Sequence, residues 1–140
     1  MWIFYAFLSA ISAALVAIFG KLGLKTLDST LATTIRSIIM ALFLLLVSLS
    51  LKKFHDFNIS SLSSRDWILI ILAGIAGALS WLFYFFALKN GPATSVVSID
   101  RLSIVFVVIL ATLFLGETFS WKIGLGALFM TIGAILISLK

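Results

Sequence analysis

Residues 67–88 read WILIILAGIAGALSWLFYFFAL, an apolar stretch without one charged side chain. About 20 such residues, wound as an α-helix, cross the ~30 Å hydrocarbon layer of a bilayer. Further apolar runs occupy residues 2–19, 31–51, 96–115 and 123–139. Between them lie short charged or turn-forming stretches, 21–28, 52–66, 89–92 and 117–122, of which only 52–66 is long enough for a small surface loop. Backbone in lipid must satisfy its own N–H and C=O groups, so each run is expected to be helical. Strands of a membrane barrel would alternate with period two over about ten residues, and these runs do not. The expected fold is an all-α integral membrane protein, with five transmembrane helices in one domain over residues 1–140.

Composition agrees. Hydrophobic residues make up 63% of the chain and charged residues 11%, with a mean hydropathy of +1.29. A soluble domain carries roughly a quarter charged residues, so the solvent this chain expects is lipid. The first run lacks the basic start of a secretory signal, since Met1 leads straight into Trp2-Ile3-Phe4, and it is expected to be retained. The sequence has no cysteine, which excludes disulfides, thiolate chemistry and cysteine metal sites. His55, the only histidine, sits beside Lys52, Lys53 and Asp56 and reads as a solvated loop residue. Asn58-Ile59-Ser60 fits the glycosylation pattern, but so short a match carries little weight. The net charge of +5 is spread over loops, which suits lipid phosphates rather than nucleic acid. No paired carboxylates, phosphate-binding glycine loop or Ser/His/Asp set is present, so neither an enzyme nor a bound cofactor or metal is expected. Transport, or a scaffold within the membrane, remains.

Charges inside the runs carry the most information. Arg36 lies in the second run and Asp100-Arg101 in the fourth, each roughly 6–8 Å beyond its helix start at 1.5 Å per residue. Alternate crossing puts the starts of runs two and four on one side, with the ends of runs one and three. Lys21, Lys25, Asp28, Arg36, Asp100 and Arg101 therefore belong to one mouth. Asp100 and Arg101 are about 100° apart on their helix and cannot share a face. Asp100 needs a partner from another helix, and Arg36 is at matching depth. Snorkelling to the headgroups is the alternative for long arginine side chains; it suits the short Asp100 poorly.

Two kinds of uncharged stripe complete the inventory. In the third run Gly74, Gly77, Trp81, Tyr84 and Leu88 share one helical face, flanked by Ser80. Such a face can line a substrate cavity or serve helix packing. Tyr5, Ser9 and Ser12 make a shorter polar stripe in the first run, read as packing. In the last run Ala127, Thr131, Ala134 and Ser138 share a face edged by Gly126 and Gly133. Small residues let helix backbones approach closely, so this face is read as an association surface for a dimer.

The stretches Ala87-Leu88-Lys89-Asn90-Gly91-Pro92-Ala93, Ser98-Ile99-Asp100-Arg101-Leu102-Ser103 and Leu115-Gly116-Glu117, with the glycine-rich segment 121–133, resemble the second half of an EamA domain. Gly20-Lys21, Asp28-Ser29 and Ala32-Thr33-Thr34-Ile35-Arg36 resemble its first half. EamA domains are the repeat unit of the drug/metabolite transporter superfamily. Typical members carry two such repeats and ten helices, whereas this chain resembles the short single-repeat members. The resemblance implies one half of an inverted-repeat transporter, with a small metabolite or drug-like molecule as cargo. It also implies a multi-pass protein of a prokaryotic cytoplasmic membrane.

A single repeat can rebuild an inverted pair only if copies insert both ways. Orientation follows the Lys/Arg bias between loops. Lys52, Lys53, Arg65 and Lys122 lie on the N-terminal side, and Lys21, Lys25, Lys89 and Lys140 on the other, four against four. The expectation is a dual-topology, antiparallel homodimer working by alternating access. Arg36, Ser80, Trp81, Tyr84, Asp100 and Arg101 would line its path, and Gly126, Ala127, Thr131, Gly133 and Ala134 would pack the dimer. A non-transporting partner subunit, or a flippase for a lipid-linked precursor, are the alternatives.

Overall fold

The structure is a computed structural model that describes residues 1–55, 57, 58 and 61–139. Asp56, Ile59 and Ser60, with the end of the glycosylation pattern, and the Lys140 charge lie outside the described residues. The helices are α1 (Trp2–Gly23), α2 (Ser29–Ser50), α3 (Ser64–Asn90), α4 (Ala93–Asp100), α5 (Ser103–Leu110) and α6 (Trp121–Ser138), with a π-helical turn at Ala111–Leu115. Among the described residues five spans are long and apolar enough to cross a membrane: α1, α2, α3, Ala93–Leu115 and α6. The protein is therefore an all-α, multi-pass membrane protein.

Three helices, α2, α3 and α6, start two or three residues before their apolar runs because polar residues cap them. The Asp28 carboxylate accepts from the backbone N–H of Thr30 at 2.8 Å and of Leu31 at 3.1 Å, which starts α2 at Ser29. Those two bonds to the ionised form hold the Asp28 carboxyl below its ordinary range. Ser63 and Asp66 cap α3 reciprocally, each side chain bonding the other's N–H. Ser120 receives the Ile123 N–H at the start of α6. With 27 residues, α3 is about 40 Å long, so its ends reach the headgroup layer.

The chain divides into two compact units, one of Met1–Leu22 with Asn90–Lys140 and one of Gly23–Lys89. In the first unit α6 packs against α4 and α5. α1 turns Ala13, Val16, Ala17 and Gly20 inward, at helical spacing, while Tyr5, Ser9 and Ser12 stay exposed. Lys21 Nζ donates to the Gly91 carbonyl at 2.8 Å, so the end of α1 and the start of α4 meet at one end of this unit. In the second unit Lys89 Nζ donates to the Leu27 carbonyl at 3.2 Å, joining the end of α3 to the start of α2. Both contacts agree with helices that cross alternately.

The fourth run is not one helix. It begins at Ala93, directly after Pro92, and breaks at Arg101-Leu102. There the N–H groups of Leu102, Ile104 and Val105 bond three residues back, to Ile99, Arg101 and Leu102. Such bonds tighten the turn and interrupt the four-residue ladder. Neither proline nor glycine occupies the break, which is why the sequence reads as continuous. Asp100 now lies about 10 Å past the helix start rather than 6–8 Å.

The same span ends in the π-helical turn, closed by Gly116 in a left-handed conformation (φ 68°) and by the Glu117 N–H bonding Ala111 O at 3.3 Å. A Cβ at Gly116 would meet no atom but would strain the backbone. Gly116→Ala is expected to lower unfolding stability in detergent by about 1 kcal/mol, and Gly116→Asn by less, because asparagine tolerates this region. Equal stability of all three proteins would show that the turn relaxes.

Candidate functional site

The second unit holds one intramembrane cation, and its surroundings are aromatic. Arg36 lies three residues after Thr33 and seven after Ser29 on α2, so these residues share a face. Ser29 is fully buried and Thr33 nearly so, while Arg36 is half-buried. Opposite stands the last third of α3, where Phe85 and Leu88 are buried and Trp81 and Tyr84 half-buried. The first half of α3 is almost entirely exposed, as a lipid- or partner-facing helix would be.

The Arg36 guanidinium carbon lies 3.6 Å from the centroid of the Trp81 ring and 5.4 Å from that of Phe85. This close, the flat ion has to lie along the indole, since a nitrogen aimed at the ring would overlap it. The contact is a cation–π interaction of about 0.5–2 kcal/mol. Trp81 is held in turn by edge contacts to Tyr84 at 5.4 Å and Phe85 at 6.1 Å. The three rings thus form a platform that fixes the cation.

Covering the guanidinium's face leaves its N–H edge to be satisfied, and one part of it is not. Arg36 Nη1 is buried without a hydrogen-bond partner among the described residues. Nearby hydroxyls are committed as donors: Thr33 to Ser29 O at 2.7 Å, Thr34 to Thr30 O at 2.9 Å and Ser37 to Thr33 O at 2.8 Å. Such i−4 bonds are how Ser and Thr settle inside membrane helices. Ser29 Oγ is the other buried polar atom without a partner.

Of the residues singled out from the sequence, the structure brings Arg36, Trp81 and Tyr84 together. It adds Phe85, which the stripe missed because Phe83, Phe85 and Phe86 crowd this part of α3 and only burial tells them apart. Ser80 is exposed, as is Gly74, around which a Cβ would meet nothing. Asp100 and Arg101 belong to the other unit, at the break between α4 and α5, and both are exposed in the single chain.

The small-residue face of α6 is engaged within its own unit. Ala134 is 5% exposed, and Ala127, Thr131 and Ser138 are half-buried where α6 meets α4 and α5. Gly126, by contrast, is exposed, and neither it nor Gly133 has an atom within 4 Å of an added Cβ. The two glycines are seven residues apart and mark an open edge of the helix.

Residues 1–139 match the family model described as the EamA-like transporter family. A protein of Sinorhizobium sp described as an uncharacterized transporter in the cobO 3' region is 39% identical over 137 residues, covering 98% of this chain and 96% of the relative. No solved structure matches.

Proposed function

Since the chain belongs to the EamA-like transporter family, we propose that it carries small organic molecules across a prokaryotic cytoplasmic membrane, as an antiparallel homodimer of five-span protomers. The observation that carries this reading is the cation inside α2, laid on an aromatic platform with a buried N–H unpaired. Intramembrane charge is expensive and marks translocation paths. Arg36, Trp81 and Tyr84 supply the cargo-facing wall of one unit. Asp100 and Arg101 supply charge from a broken helix, the kind of element that lines transport paths in lipid. On depth in the sequence, Asp100 is the carboxylate expected to compensate one of the two intramembrane arginines, because its short side chain suits neither lipid nor snorkelling. Two cations against one carboxylate leave the path net positive. Alternating access then follows from rocking two inverted copies about the central site. The chain performs no bond chemistry in this account. Uptake by the purified protein in liposomes separates a transporter from a scaffold that completes another protein's bundle.

The dimer contact in this proposal lies on the open edge of α6. Gly126→Leu is expected to yield monomers in mild detergent while leaving the protomer's thermal stability unchanged, because the added side chain meets nothing within the chain. Ala134→Leu overpacks a buried position and is expected to cost about 1–3 kcal/mol within the protomer itself. A Gly126→Leu protein that stays dimeric would move the interface elsewhere.

A further inference from the structure

We infer that the cargo is a monocarboxylate with an apolar or aromatic body, and that its carboxylate docks on the in-plane N–H edge of Arg36. The inference rests on the transport reading and deepens it by naming the substrate class. A guanidinium flat on an indole has one face covered, and its in-plane N–H edge is where an acceptor binds. That edge matches the two oxygens of a carboxylate, and a buried Nη1 already lacks an acceptor.

The rest of the site selects against other classes. One cation without a backbone N–H cluster balances a single negative charge, not a doubly charged phosphate. Thr33, Thr34 and Ser37 have spent their hydroxyl protons on their own helix, so they can accept from a sugar's hydroxyls but not donate to them. Within the second unit the Asp28 carboxylate is occupied by two helix-capping bonds, and a cationic cargo would face the like charge of Arg36. Trp81 and Tyr84, both half-buried, offer ring surface to an apolar body.

Three probes of one shape and different charge test this: phenylacetate, the neutral phenylacetamide and the cation phenethylamine. With the purified protein, phenylacetate is expected to raise the unfolding temperature and change tryptophan emission in a saturable way, and the other two are not. Arg36→Gln is expected to weaken the phenylacetate response about 10- to 100-fold. Arg36→Lys keeps the charge and loses the fork; should Arg36→Gln fail to fold, Arg36→Lys still has to show the same ligand order with a weaker response. An equal response to phenylacetamide, a preference for phenethylamine, or an undiminished phenylacetate response in the Arg36 variants would overturn the inference. Phenylacetate that binds through Arg36 but never crosses liposome membranes would leave the inference standing and remove the transport reading. Uptake of cationic probes alone would do the reverse.

Discussion

A short run of lysines placed ahead of Trp2 is expected to force nearly every copy into one orientation and to abolish most transport. The native loops carry no net Lys/Arg bias, and a few added charges at one end decide orientation in that situation. Copies that all point one way cannot form an inverted pair. Co-expression with a variant biased the opposite way is expected to restore activity, because the two chains together supply both orientations. Absence of native cysteine makes the starting state measurable. His55→Cys and Thr26→Cys lie on opposite sides and leave the Lys/Arg balance untouched. Each is expected to react with an impermeant thiol reagent in about half the molecules. Labelling of nearly all copies at one position and nearly none at the other would end the dual-topology account.

Asp100→Asn is the second substitution with a large expected effect. If Asp100 compensates Arg36, its loss leaves a cation without a carboxylate in the membrane. Breaking a buried pair on one side costs about 3–5 kcal/mol. The loss is expected at or below the low end, about 2–3 kcal/mol, because Arg36 keeps its contact with Trp81. The double change Asp100→Asn with Arg36→Gln is expected to recover stability and to remain inactive. An Asp100→Asn protein that is stable and exchanges substrate normally, yet no longer responds to a pH gradient, would instead make Asp100 the carrier of a coupling proton.

The spans were legible because hydropathy over 20 residues is a sum, and a sum tolerates local exceptions. Helix ends were less so: the runs stop at the first charges, whereas Asp28 and Ser63 let α2 and α3 begin earlier. The break at Arg101-Leu102 and the π-helical turn before Gly116 left no mark in composition, since Ser103–Leu110 is as apolar as a helix interior should be. Arg36 stood out from the sequence because charge in lipid is conspicuous. Its main neighbour did not, for depth matching suggested a carboxylate and the geometry within the unit supplied an indole. Trp81 and Tyr84 were visible as a stripe, while Phe85 was hidden among other phenylalanines. The small face of α6 was recognisable as a packing surface, but small residues serve a neighbouring helix and a second copy by the same physics. Only the positions of α4 and α5 tell the two uses apart, and they leave Gly126 and Gly133 with nothing beside an added Cβ.

Counterflow in liposomes that contain this chain and no other protein tests the central claim most directly. Vesicles loaded with unlabelled phenylacetate are expected to draw in labelled phenylacetate transiently above its equilibrium level, and Arg36→Gln vesicles are not. A purified, folded, dimeric protein that binds phenylacetate and shows no such overshoot would contradict the claim that one repeat, doubled, is a complete transporter.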